Sequence, residues 1–220
     1  MIKNVLYYNI AHFLFLYMKH MNDYINEKLK LGKHLLSARY VYYPKTTKEL
    51  IDIITEKVKK FKYTSTIFDR NNTVLNFNDI DVHNIDDFSC VFHNLDDIIK
   101  IDISQWDVSK ATTFQSMFSC SPNLITTGDL SGWNTHNVEI MNNMFCGCHA
   151  LTDIGDISNW NFSNVNDMAY AFAHCENLKF IGDISNWDFL KNVKMSKRIF
   201  YDSDKLIDTF SDEFISKYCQ

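Results

Sequence analysis

D-I-S-Q-W-D at 102–107, D-L-S-G-W-N at 129–134, D-I-S-N-W-N at 156–161 and D-I-S-N-W-D at 183–188 are four versions of one phrase. Their tryptophans, Trp106, Trp133, Trp160 and Trp187, stand 27 residues apart at every step. The same period runs outward from them. Gly128, Gly155 and Gly182 precede the aspartates, while Phe118, Phe145 and Phe172, then Leu124, Leu151 and Leu178, follow downstream. A fixed period of this length is the signature of a repeat architecture, in which one unit cannot bury its apolar face and neighbours must cover it.

Irregular copies flank the regular ones. Ile80-Asp81-Val82 stands where Trp-Asp-Val would be, and Ile85, Phe88, Val91, Phe92, Leu95 and Ile98 keep the apolar spacing. After Trp187 one residue is inserted, and the pattern resumes at Val193, Ile199, Phe200, Ser203 and Leu206. Within a copy, Met141, Met144, Phe145, Cys148 and Leu151 recur every three or four positions, which predicts one face of a short helix or 3₁₀ turn. The Gly-Asp-Ile-Ser segment predicts an extended piece beside a turn. The fold class expected is therefore α/β repeat: a short leucine-rich-repeat-like solenoid of about five 26–28-residue coils over residues 77–208, with an N-terminal helical cap. Its structural core would be Trp106, Trp133, Trp160, Trp187, Phe118, Phe145 and Phe172.

The flanks divide into further segments. Residues 41–76 read as a capping helix and lead-in strand: Thr46 and Glu49 form a capping-box pattern after Pro44, and Leu50, Ile51, Ile54 and Val58 make an apolar stripe. Residues 1–40 read as an N-terminal helical extension whose Leu6, Ile10, Phe13, Leu14 and Tyr17 share a face. Residues 209–220 read as a C-terminal helical cap, continuing the face of Leu206, Ile207, Phe210, Phe214, Ile215 and Tyr218.

The pattern D-I-S-x-W-D-x-S-x-V-x-x-M-x-x-M-F-x-x-C-x-x-L resembles the BspA-like repeats, leucine-rich-repeat-like units of bacterial surface proteins. Asp156-Ile157-Ser158-Asn159-Trp160 through Val165, Met168, Phe172, Cys175 and Leu178 carries the likeness best. Residues 41–61 also resemble the leader helix found before such repeats in phage-encoded examples. The resemblance implies a scaffold for adhesion or protein binding, without catalysis. Surface members carry secretion and attachment sequences. Val5–Met18 is apolar, but no small-residue cleavage site follows it, so the expectation is host cytoplasm or virion rather than a bacterial surface.

With 46% hydrophobic residues in 220, the chain can build a packed core and is not a disordered segment. The formal net charge is −5, unevenly placed: residues 1–76 hold 13 Lys+Arg against 6 Asp+Glu, and residues 77–208 hold 8 against 19. Such a balance disfavours nucleic acid as a partner of the repeats, and Val5–Met18 is short for a membrane span. None of the familiar hydrolase, nucleotide-binding or zinc-protease motifs occurs, and no C-x-x-C pair is present. The aspartate column at 102, 129, 156 and 183 could suggest calcium. It offers one acidic residue per repeat where calcium wants several oxygens, so each carboxylate is read as capping its own turn. Cys146, Cys148 and His149, with His174 and Cys175, could suggest a metal cluster, but the repeat register already explains Cys148 and Cys175.

No enzyme, cofactor or metal site is therefore expected. The expected function is a non-catalytic repeat scaffold for protein–protein binding, virion-associated or host-interacting if phage-encoded. The alternative is an exported adhesin binding host glycans or matrix proteins through exposed tryptophans. Lys110, His136 and Asn137, which vary beside the constant motif, are the candidate binding residues. Another protein is the expected partner, with self-association through the N-terminal helix as a second contact.

Overall fold

The computed structural model describes residues 40–64, 73–184, 187, 198–208 and 210. The chain divides into two units, Met1–Arg39 and Tyr40–Gln220, and every described residue falls in the second. All but Tyr40 of the helical extension expected over 1–40, and all but Phe210 of the helical cap expected over 209–220, lie outside the described residues.

The first element is α1, Thr47–Thr64. Thr46 Oγ1 accepts the Glu49 N–H at 3.2 Å, and Glu49 Oε2 reaches back to the Lys45 N–H at 2.8 Å. Together these satisfy backbone donors that a helix start leaves open. Leu50, Ile54 and Val58, one turn apart, are buried. Each such burial contributes on the order of 1.5–3 kcal/mol. The helix is seated on the first repeat by Thr47 Oγ1, which donates to the Asp87 carbonyl at 2.6 Å, and by Lys57, 2.5 Å from Asp79.

The remaining elements are β1, Leu75–Asn76, β2, Ile101–Asp102, and α2, Asp204–Ile207. β1 and β2 pair in parallel, Leu75 with Ile101 and Asn76 with Asp102. This overturns the regular α/β solenoid of five coils. Among the described residues there are two helices, neither inside residues 77–184, and one two-stranded parallel sheet. Elsewhere strand pairing shrinks to single parallel bridges: Lys100–Thr126–Asp153 along one line, Asp87–Thr113–Ile140–Asp167 along another.

Two features of the sequence explain the loss of regular elements. First, bridge residues double as turn formers. Asp87, Thr113 and Asp167 each accept, on the side chain, the backbone N–H two residues ahead, at 2.8, 3.1 and 3.0 Å. Thr126 and Asp153 do the same for Gly128 and Gly155. Such turns bend the chain before a strand can lengthen.

Second, the segments with helical spacing contain left-handed residues. Ser116, Asn143 and Tyr170 have φ of +53°, +57° and +60°, and Cys120, Gly147 and His174 have +58°, +79° and +58°. An α-helix cannot pass through such positions. The spacing of Met141, Met144, Phe145 and Cys148 comes instead from consecutive tight turns. Met144 N–H donates to Met141 at 3.2 Å and Cys148 N–H to Phe145 at 3.1 Å. Alternate N–H groups leave the turn altogether. Those of Phe114, Ser116, Phe118 and Cys120 donate to the carbonyls of Ile140, Asn142, Met144 and Cys146 at 2.8–2.9 Å.

Sequence-equivalent side chains consequently lie over one another. Phe92, Phe118, Phe145 and Phe172 stack with centroids 5.4, 4.9 and 5.4 Å apart, and Phe200 continues the row at 5.8 Å. Trp106, Trp133, Trp160 and Trp187 are all buried, and Trp133 and Trp160 lie nearly parallel at 6.0 Å. Trp106 Nε1 donates to the Phe77 carbonyl at 2.9 Å and Trp160 Nε1 to Leu130 at 3.0 Å, each reaching into the preceding repeat.

Candidate interaction surface

The surface follows from the turns. Asp102, Asp129 and Asp156 each accept the N–H of the serine two residues on, at 2.9–3.0 Å. On Asp102, burial opposes the charge. The hydrogen bonds from the Ser104 backbone and hydroxyl and from Asn78 outweigh it and hold the carboxyl below its ordinary range. The Ser158 backbone N–H, then its hydroxyl, do the same for Asp156. A second set of turns follows each tryptophan: Asp107, Asn134 and Asn161 cap Ser109, His136 and Ser163 at 2.9–3.2 Å. These oxygens are occupied by turn amides. Among the described residues no three His, Cys, Asp or Glu side chains form a group that could hold a metal ion.

The turns after the tryptophans carry the residues picked out by their variability. Lys110, His136 and Asn137 are exposed and lie along one edge of successive repeats. Their side chains are nonetheless anchored. Lys110 Nζ donates to Asn84 Oδ1 at 3.0 Å, and Asn137 Nδ2 donates to the Ser109 carbonyl at 2.7 Å. His136 Nδ1 lies 3.3 Å from Asn161 Nδ2, and its carbonyl accepts from Asn164 Nδ2 at 2.7 Å. The structure thus joins all three residues into one ladder with Asn84 and Asn164. Sequence reasoning passed over both asparagines, although Asn164 stands 27 residues after Asn137 and Asn84 stands 26 before Lys110. A second ladder runs through Asn123 Nδ2, on the Asp96 carbonyl at 2.7 Å, and Asn177 Nδ2, on His149 at 2.8 Å.

Beyond these edges, a concavity of ≈ 430 Å³ lies along α1, lined by Tyr42, Asp52, Ile53, Glu56, Lys57 and Lys60. Lys57 there is paired with Asp79 and lies over the Tyr42 ring at 5.2 Å, so its charge serves the seating of α1. The buried thiols carry no visible chemistry. Burial pushes Cys148 up to about 12 and Cys175 well above the ordinary thiol range, which leaves both protonated and unreactive. No described helix is long and apolar enough to cross a membrane.

Residues 62–179 and 123–217 each match the family described as Mycoplasma protein of unknown function, DUF285. The chain belongs to that family. Both overlapping DUF285 segments fall largely on the repeats, and the first begins at the end of α1. No curated protein and no solved structure matches the chain.

Proposed function

We propose that this DUF285 protein is a non-catalytic scaffold that binds another protein through the edge bearing Lys110, His136 and Asn137. One observation carries the reading: these side chains are exposed, yet each is held by hydrogen bonds to an adjacent repeat. Polar groups fixed before contact lose little rotamer freedom on binding, which favours affinity. The finer reading places the protein among BspA-like repeat proteins, as a phage-encoded, virion-associated or host-interacting member. That reading is supported by the motif run through Asp156–Leu178 and by a helix, α1, ahead of the repeats. The adhesin alternative calls for exposed indoles as a sugar platform, whereas the four tryptophans are 3–4% exposed.

The test is affinity purification of the full chain with mass spectrometry of what accompanies it. It compares wild type, a Lys110→Ala/His136→Ala/Asn137→Ala variant and a Lys179→Ala control. A specific protein held by wild type and control but lost from the triple variant supports the reading. The same companions on all three, or none on any, contradict it.

A further inference from the structure

Cys120 and Cys146 meet where two consecutive repeats run side by side. The Cys120 N–H donates to the Cys146 carbonyl at 2.8 Å. One N–Cα bond, that hydrogen bond and one carbonyl group, laid end to end, keep the two Cα atoms within about 6.7 Å. Disulfides span Cα separations of about 4.4–6.8 Å, so the backbone already stands within bridging distance. Two further contacts concern the sulfurs. Cys120 Sγ lies 3.6 Å from Ser119 Oγ. Ser119 is the counterpart of Cys146 one period earlier, so the Cys120 sulfur faces the column of side chains to which Cys146 belongs. The residue over Cys120 itself is Gly147, where an added Cβ would lie 3.7 Å from the Cys120 Cα. Glycine sets no side chain beside the path from one sulfur to the other, whereas Asn94 and His174, which make the equivalent backbone bond in their own repeats, carry one.

Access singles out the same pair among the described thiols. Cys148 and Cys175 are buried and donate to the Phe118 and Phe145 carbonyls. Cys120 is exposed and Cys146 half-buried, so a small reagent reaches the first and the second lies just behind it. The two thiols also sense one another. Burial, and then the neighbouring Cys120, push Cys146 above the ordinary thiol range. Cys120 is therefore the thiol that reacts first, and Cys146 the one that resolves.

We propose that Cys120 and Cys146 form a redox-responsive clasp, which a small-molecule disulfide closes into a disulfide bond between consecutive repeats. The Cys120 thiolate, its proton given to water, attacks one sulfur of the small disulfide. A mixed disulfide forms on Cys120 and one small thiolate leaves. Cys146, losing its proton in turn, attacks the Cys120 sulfur, forms the Cys120–Cys146 bond and expels the second small thiolate. Two protein thiols are oxidised, one small disulfide is reduced by two electrons to two thiols, and the protons return to those thiols through water. The closed clasp ties two neighbouring repeats covalently and restricts the unfolded chain, so oxidation holds this part of the stack together.

Oxidised glutathione is the probe. The reduced, folded full chain is incubated with it, remaining thiols are alkylated, and the protein is cleaved before aspartate for mass spectrometry without reduction. Such cleavage separates residues 107–128, which hold Cys120, from 129–152, which hold Cys146 and Cys148. The expected product is one cross-link between these two peptides. It should vanish in Cys120→Ser and Cys146→Ser and persist in Cys148→Ser, each variant checked against wild type by circular dichroism. The oxidised wild type should also unfold at a higher urea concentration than the reduced one, a shift absent from Cys146→Ser. Glutathione left on Cys120 with Cys146 alkylated, a cross-link that survives Cys146→Ser, or cross-links joining other cysteines in its place would overturn the pair. An unchanged urea midpoint on oxidation would overturn its role as a clasp.

Discussion

The thiol of Cys148 donates to the carbonyl of Phe118, 3.2 Å away in the preceding repeat. Ser121, Cys175 and Ser203 make the same bond to Phe92, Phe145 and Phe172, at 3.1, 3.3 and 2.6 Å. One small side chain per repeat thus ties its own turn to the carbonyl of a stacked phenylalanine one repeat back. The slot selects for a short side chain bearing a donor, which is why it holds only serine or cysteine in these four repeats.

Replacement within the slot should follow that rule. Cys148→Ser keeps a donor of similar size and should change stability little. Cys148→Val removes the donor and adds branching beside Phe118, with an expected cost of about 1–3 kcal/mol. Urea unfolding of both variants beside wild type measures the difference, and equal losses would show that size alone matters.

Alkaline pH should loosen the fold through the same column. Burial raises Cys148 from 9.0 to about 12, and Cys175 moves in the same direction. A pKa raised on folding means that the unfolded chain releases its proton first. The stabilisation is therefore complete below pH 9 and is lost as pH climbs through the folded value. Unfolding midpoints should fall between pH about 9 and about 12, and a Cys148→Ser/Cys175→Ser variant should fall less steeply. In the native state a thiol reagent should label exposed Cys90 and Cys120 ahead of Cys148 and Cys175.

Acid should act on the turns. Hydrogen bonds hold Asp102 and Asp156 below 3.8, and for Asp107 the Ser109 hydroxyl comes first among the causes of the same shift. Carboxyls lowered on folding contribute stability above the unfolded value of 3.8 and lose it as pH falls through the folded one. Stability measured from pH 5 downward should therefore decline below about pH 4. In an Asp102→Asn/Asp107→Asn/Asp156→Asn variant, asparagine keeps the turn acceptor but cannot titrate, so the decline should be shallower.

Gly155 and Gly132 offer a matched comparison. Gly155 has φ +82°, and a Cβ there would fall on the Asp129 carboxylate of the preceding repeat. Around Gly132 nothing lies within 4 Å of the added carbon. Gly155→Ala should cost about 1–3 kcal/mol and Gly132→Ala well under 1 kcal/mol. Thermal unfolding of the two variants decides it, and equal melting would remove the close approach of the repeats as a constraint.

The residues that share an interior were plain in the sequence, because burial follows periodicity: the tryptophans and Phe118, Phe145 and Phe172 announce themselves by a 27-residue spacing. The backbone that carries them was not plain. Met141, Met144, Phe145 and Cys148 are spaced as on a helix, yet consecutive tight turns produce the same spacing. Only the left-handed conformations of Asn143 and Gly147 separate the two, and asparagine and glycine signal these weakly. The capping residues Thr46 and Glu49 were legible because a helix start is local chemistry. The ladder through Asn84, Asn137 and Asn164 was harder to see. Its bonds join residues a full repeat apart, and an exposed asparagine reads as an ordinary turn residue until its partner is placed.

The most direct test of the account is residue-resolved hydrogen exchange on the amides of Phe114, Ser116, Phe118 and Cys120, which donate into the next repeat. Ser116 and Cys120 sit in a turn ridge where a chain folded only locally would leave amides open to water. If neighbouring repeats share one interior in register, these four amides exchange slowly and together, through global unfolding alone. Exchange at Ser116 and Cys120 as fast as at an unprotected surface amide, with Phe114 and Phe118 little slower, would contradict it.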